Sequence, residues 1–161
     1  MLHSLQLTRA FGENDPLKII GAAKIKELVW HEDAFAIGFN FGLLTSLVKL
    51  DMSVEKASGY RNGSFMASTN GMLLLEEVNM RNNRLARNGD NGNVATLDLS
   101  WQGRLKKLDV RGTGLTRVKL ATGAPVVQLC LPDTIEELFL EYLTKLSDSG
   151  LILEGINNCL L

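Results

Sequence analysis

Two histidines, His3 and His31, and two cysteines, Cys130 and Cys159, are the side chains best suited to metal or nucleophilic chemistry in this chain of 161 residues. The cysteines form no CxxC pair, and a zinc site needs more ligands at closer spacing. They read as small buried hydrophobes, and no disulfide framework is expected. His31 precedes Glu32 and Asp33, a trio that could bind a metal but reads instead as a polar turn after a strand. Ser–His–Asp catalysis requires three converging groups, and no motif announces one. The stretch DVRGTGLT contains GTG without the spaced lysine of a phosphate-binding loop. Glu76–Glu77 and Glu136–Glu137 resemble paired acids, yet they recur with the chain's repeat and read as surface residues. Asn62-Gly63-Ser64 is a glycosylation sequon, which matters only in a secretory compartment. The expectation is a non-enzymatic protein with no cofactor and no metal.

Composition narrows the partners. Seventeen basic residues face eighteen acidic ones, so no phosphate-binding surface and no nucleic-acid partner are expected. The opening MLHSLQLTRAFGENDPLK has neither the basic segment nor the apolar run of a signal peptide. No run approaches the ~18 apolar residues of a membrane span, so no membrane insertion is expected. The length fits a single domain, 1–161, large enough to bury a core.

The elements that must carry any site repeat. Apolar residues at relative positions 0, 3 and 5 occur nine times. They are Leu2/Leu5/Leu7, Ile25/Leu28/Trp30, Leu47/Leu50/Met52, Leu75/Val78/Met80, Val94/Leu97/Leu99, Leu105/Leu108/Val110, Leu115/Val118/Leu120, Val126/Leu129/Leu131 and Ile135/Leu138/Leu140. The last two members of each are an apolar–x–apolar pair, the period of a short strand with one buried face. From position 94 the phrases follow one another so closely, separated by RGTG, ATGAP and LPDT, that no ordinary helix fits between them. Residues 53–74 read as an insertion around the loop YRNGSFMASTNG, and ARNGDNGN (86–93) reads as a second loop.

These phrases resemble the leucine-rich repeat, L-x-x-L-x-L-x-x-N-x-L. LEEVNMRNNRL (75–85) fills every marked position, including Asn83. LKKLDVRGTGL (105–115) does so with Thr113 for Asn, and IKELVWHEDAF (25–35) with Trp30, Asp33 and Phe35 as substitutes. The resemblance implies a solenoid of short parallel strands and turns with little helix. It also implies that Asn83 and Thr113 hydrogen-bond backbone groups left open at a turn. The phrases LKKLDVRGTGLTRVKL and LPDTIEELFLEYLTKLSDSGLILEG are further similar to irregular repeats in large proteins of gut Bacteroidales and their phages. That similarity implies a role on a virion or cell surface, within a larger assembly.

The coil follows from spacing. Taking Leu5, Leu28, Leu50, Val78, Leu97, Val118 and Leu138 as main-face centres gives steps of 23, 22, 28, 19, 21 and 20 residues. This predicts about seven coils of roughly 21 residues, with Leu108 and Leu129 on the opposite face. A three-sided coil joining Val78, Leu108 and Leu138 at steps of 30 is the alternative. The residues before the centres, Glu27, Lys49, Glu77, Thr96, Arg117 and Glu137, tend to alternate in sign. That suits side chains stacked ~4.8 Å apart. Between the inward residues lie Val29, Asp51, Asn79, Asp98, Lys119 and Phe139, an outward row flanked by His31, Arg81 and Glu141. Such rows line binding faces in solenoids. The predicted binding residues are therefore Asp51, Asn79, Arg81, Asp98, Lys119 and Phe139, with a protein or glycan as partner. Neither end reads as a capping helix. Open apolar ends make homo-oligomers by end-to-end stacking the second expectation.

Overall fold

The computed structural model describes residues 3–7, 20–31, 41–55, 69–83, 96–138 and 142–153. It is a parallel β-solenoid. The strands are β1 (Ser4–Leu7), β2 (Glu27–Trp30), β3 (Lys49–Asp51), β4 (Glu77–Asn79), β5 (Thr96–Leu99), β6 (Lys107–Asp109), β7 (Arg117–Leu120), β8 (Gln128–Leu131), β9 (Glu137–Leu138) and β10 (Leu151–Leu153). Helix among the described residues is limited to single 3-10 turns, at Ala22–Lys24, Phe41–Leu43, Thr69–Gly71 and Asp148–Gly150.

Seven strands form the main sheet in the order β1-β2-β3-β4-β6-β8-β10, and three form a second sheet, β5-β7-β9. Every pairing is parallel. The register aligns Leu5, Leu28, Leu50, Val78, Leu108, Leu129 and Leu151 in one column. Leu97, Val118 and Leu138 form the other column. This corrects the predicted main face from Leu97 onward: Leu108 and Leu129 continue the main sheet, and Leu97, Val118 and Leu138 belong to the opposite one. Steps along the main column are therefore 23, 22, 28, 30, 21 and 22 residues rather than uniformly near 21. The alternative 30-residue coil holds for Val78 to Leu108 and fails at Leu138. The physical cause is that both sheets are written with the same apolar phrase. The phrase specifies a strand and its buried side, but not the side of the coil on which it lies.

Each phrase does one job. Its first residue turns the corner into the core, and the apolar–x–apolar pair is the strand's inward face. Ile25, Leu28 and Trp30 are buried, as are Leu47, Leu50 and Met52, then Leu75, Val78 and Met80, then Leu105, Leu108 and Val110. The corner is closed by repeated backbone bonds of one kind. Leu44 N–H donates to Phe41 O and Leu47 N–H to Leu44 O, as Met72 N–H does to Thr69 O and Leu75 N–H to Met72 O. Trp30 and Phe41, with ring centroids 6.3 Å apart and tilted, fill the core between β2 and β3. Thr69–Gly71 and the buried Met72 are thus the regular corner of β4 and not part of an insertion loop. The centre of the predicted insertion and the loop at 86–93 lie outside the described residues.

A polar tie links the corner before β4 to β5, where the second sheet begins. Thr69 Oγ1 donates to Asp98 O at 2.8 Å, and the buried Gln102 donates from Nε2 to Thr69 O at 2.7 Å. Gln102 occupies the corner position held by Ala22, Leu44 and Met72 in other coils. Its amide supplies a buried donor at a point where those apolar residues cannot.

Asn83 and Thr113 act as the repeat pattern implies. Asn83 Nδ2 donates to Met52 O of the preceding coil at 2.9 Å, and Thr113 Oγ1 donates to Val110 O at 2.6 Å. Both side chains are buried. Just before them, Asn82 and Gly112 take equivalent left-handed conformations, φ 60° and 69°, where an Asn or Gly is tolerated best. Replacing Asn83 by Leu will remove this buried hydrogen bond, at a cost of about 1–3 kcal/mol. Equilibrium unfolding of Asn83→Leu measures it, and a midpoint unchanged from the parent would show that the amide has no structural role.

Candidate functional site

The candidate surface is the outward face of the main sheet, and one local device shapes it. At or next to the end of four strands, three in the main sheet and one in the second, an Asp or Asn accepts a hydrogen bond from the backbone N–H two residues on. Ser53 N–H donates to Asp51 Oδ1 (3.0 Å), Arg81 N–H to Asn79 Oδ1 (3.2 Å), Ser100 N–H to Asp98 Oδ1 (3.0 Å) and Arg111 N–H to Asp109 Oδ1 (3.2 Å). These Asx turns bend the chain out of the strand and fix each side chain's direction. The sequence signal is Asp/Asn, apolar, Ser/Arg: Asp51-Met52-Ser53, Asn79-Met80-Arg81, Asp98-Leu99-Ser100 and Asp109-Val110-Arg111. Three of these acceptors, Asp51, Asn79 and Asp98, were expected only as binding residues. Asp109, the fourth, was missed because its strand was assigned to the other face.

Two rows of side chains stand on the main sheet, one on either side of the buried column. The first is Glu27, Lys49, Glu77, Lys107 and Gln128. Its charges alternate through the real register as they did through the expected one. Lys49 Nζ lies 3.9 Å and Lys107 Nζ 3.3 Å from the two oxygens of Glu77. These pairs are part-exposed, so they set register more than they add stability. The second row is Val29, Asp51, Asn79, Asp109 and Cys130. The two rows wall a groove of about 380 Å³ that crosses β2, β3, β4, β6 and β8 along the solenoid axis.

Past the strand ends the groove opens into a polar recess of about 610 Å³, which shares Asn79 and Asp109 with it. His31, Ser53, Asn79, Arg81, Asn82 and Asp109 line this recess. His31 Nδ1 donates to Ser53 O at 3.0 Å and lies 3.8 Å from Asp51 Oδ1. Asp109 is held from both sides by Arg111, whose Nε reaches Oδ1 at 3.0 Å and whose Nη2 reaches Oδ2. Arg81 is exposed, and among the described residues its guanidinium makes no ion pair. Among the described residues no group of three His, Cys, Asp or Glu side chains is placed to hold a metal.

Of the six predicted binding residues, the fold brings three together. Asp51 and Asn79 are register neighbours on the main sheet, and Arg81 lies beside them in the recess. Asp98 and Lys119 are also register neighbours, 3.8 Å apart between Oδ2 and Nζ, but on the second sheet. They form a separate surface, which corrects the single row of six. The bonds from the Ser100 hydroxyl and backbone N–H, with Lys119 nearby, hold the Asp98 carboxyl below the ordinary carboxylate range. Phe139, Glu141 and Cys159 lie outside the described residues.

Cys130 is fully buried and unoxidised although it stands on the outward row. Burial pushes its thiol pKa up and the Asp109 carboxylate adds to the shift. Both effects disfavour the thiolate, and the side chain packs as a small hydrophobe. Trp30 is buried as well, whereas Trp101 is exposed. Among the described residues no helix is long and apolar enough to cross a membrane. No family model, no curated protein and no solved structure matches the chain.

Proposed function

We propose that the chain is a non-enzymatic interaction module whose contact surface is the outward face of the main sheet. The observation that carries this reading is the groove itself. It is continuous over five strands, opens into the Arg81 recess, and is lined by polar side chains that their own turns hold in place. Pre-ordered side chains lose little entropy on binding, which favours a surface used for recognition. The partner on this reading is a protein or a glycan. The solenoid is of the leucine-rich-repeat type, with Asn83 and Thr113 as its turn residues. The protein belongs to a phage virion or bacterial surface attachment assembly, in line with the sequence resemblance.

The test is a binding screen against bacterial surface proteins and surface glycans, followed by Asn79→Lys with Arg81→Glu. That pair of changes should weaken any groove ligand at least tenfold, while Asp98→Lys with Lys119→Glu leaves it unchanged. A ligand whose affinity the first pair does not alter binds elsewhere, and the groove reading fails.

A second reading is a scaffold that stacks end to end. It is favoured by β1 and β10, which terminate the main sheet and pair on one side only among the described residues. A strand edge of this kind is a template for another strand. Light scattering that shows mass rising with concentration supports it, and a monomer at all concentrations removes it.

A further inference from the structure

We propose that the corner carrying Trp101 and Tyr142 is a second binding surface, a stacking platform for a linear glycan, separate from the main-sheet groove. Trp101 is 66 % exposed and Tyr142 59 % exposed; the other exposed large apolar side chains among the described residues, Ile20, Leu43, Leu73, Val127 and Ile152, are aliphatic. Their placement is periodic. Leu97, Val118 and Leu138 are register partners across β5, β7 and β9, and Trp101, Thr122 and Tyr142 each follow one of them by four residues. The two rings follow strands two places apart in the second sheet, about 10 Å along the axis at ~4.8 Å per strand, and the turn of Thr122 and Gly123 follows the strand between them.

Beside Tyr142, and reaching Ser100, the neighbour of Trp101 in the chain, the surface has two characters. A recess of about 310 Å³ is floored by Leu120, Ala121 and Leu143 and edged by Ser100, Thr122, Lys119 and Tyr142. This volume lies at the small end of the range for ligand sites. Among the described residues lining it, Lys119 alone is ionised; its ammonium lies 3.8 Å from the Asp98 carboxylate, which also accepts from Ser100, so the rim offers a hydroxyl-rich occupant both a donor and an acceptor. A pyranose ring has the matching chemistry. Its axial C–H face is apolar and slightly positive and stacks on the negative face of an aromatic ring, while its equatorial hydroxyls point sideways to hydrogen-bond. A chain of such rings advances about one sugar per strand spacing, so alternate sugars meet Trp101 and Tyr142 and the sugar between them lies over Thr122. A protein partner would instead be met by a contiguous apolar patch, and here the two aromatics are separated by Thr122, Lys119 and Ser100.

The experiment titrates the intact chain with soluble hexasaccharides of β-1,4-linked glucose, mannose and uronic acid. Binding is read by calorimetry and by tryptophan fluorescence. Trp30 is buried, so loss of iodide quenching on binding reports Trp101. At least one hexasaccharide should bind, and its disaccharide should bind at least tenfold more weakly because it cannot span both rings. Trp101→Ala and Tyr142→Ala should each weaken binding at least tenfold, with Trp101→Phe restoring most of it. Thermal melting checks that these exposed substitutions leave the fold intact. Asn79→Lys with Arg81→Glu should leave the affinity unchanged, which separates this surface from the groove. The proposal is overturned if no member of the panel binds at millimolar concentration, or if binding is indifferent to both aromatic substitutions.

Discussion

Truncating Leu108 to alanine will lower the free energy of unfolding by about 3–4 kcal/mol, the range in which a buried leucine loses its transfer energy and leaves a cavity. Leu108 is 1 % exposed at the centre of β6, with Val78 and Leu129 as register partners on either side. Its methyl groups therefore pack against two neighbouring coils as well as across the core. In a solenoid each coil contacts only its neighbours, so a void in the middle weakens two interfaces at once. The comparison is Leu5→Ala: Leu5 is half-buried on the terminal strand β1 and has one register partner, Leu28. Its truncation should cost markedly less. Chemical denaturation of both variants supplies the test. Equal losses, or a loss under about 1 kcal/mol at Leu108, would mean that the column is not a closely packed spine.

Gly71→Ala should destabilise by about 2–3 kcal/mol, for a reason unrelated to cavities. A β-carbon at Gly71 would overlap the carbonyl oxygen of Gly42, and its next nearest neighbours are Gly42 backbone atoms as well. Gly42 lies in the 3-10 turn Phe41–Leu43 and Gly71 ends the turn Thr69–Gly71, so the two corners touch backbone to backbone. A flexible side chain could swing aside; a peptide group in a packed corner cannot, and the two coils must separate. Gly103→Ala is the control, because a β-carbon there meets nothing within 4 Å. Thermal unfolding should show a large drop in midpoint for the first variant and almost none for the second. Equal midpoints would mean that the corners do not approach as closely as the fold requires.

The repeating phrase was legible because a parallel stack imposes the same demand at every coil. Ile25, Leu28 and Trp30 face inward for the reason that Leu75, Val78 and Met80 do, and the three-then-two spacing is the geometry of a corner followed by a strand. Asn83 and Thr113 were legible for a related reason, since a turn that leaves a carbonyl open in a dry place needs a short side-chain donor. The Asx turns at Asp51, Asn79, Asp98 and Asp109 were not anticipated: three of these residues were read only as outward binding residues, and the hydrogen bonds alone showed that the recurring triplet bends the chain.

The assignment of each phrase to a sheet was another matter. Val78 and Leu97 are 19 residues apart and Val78 and Leu108 are 30 apart, and both distances allow a coil. Local sequence could not choose, because either phrase buries its leucines equally well. The choice rests on the whole stack: β6 pairs with β4 and extends a sheet already begun, while β5, tied through Thr69 and Gln102 to the corner Thr69–Gly71, founds the opposite one. The same half-coil decided which polar residues meet. It placed Asp109 beside Asn79 and moved Asp98 and Lys119 to the far side. The residues alone thus determined that this chain winds into stacked parallel coils with leucines inside. Which strands are neighbours, and so which side chains share a surface, was decided by packing between coils, a long-range energy that no short window of sequence contains.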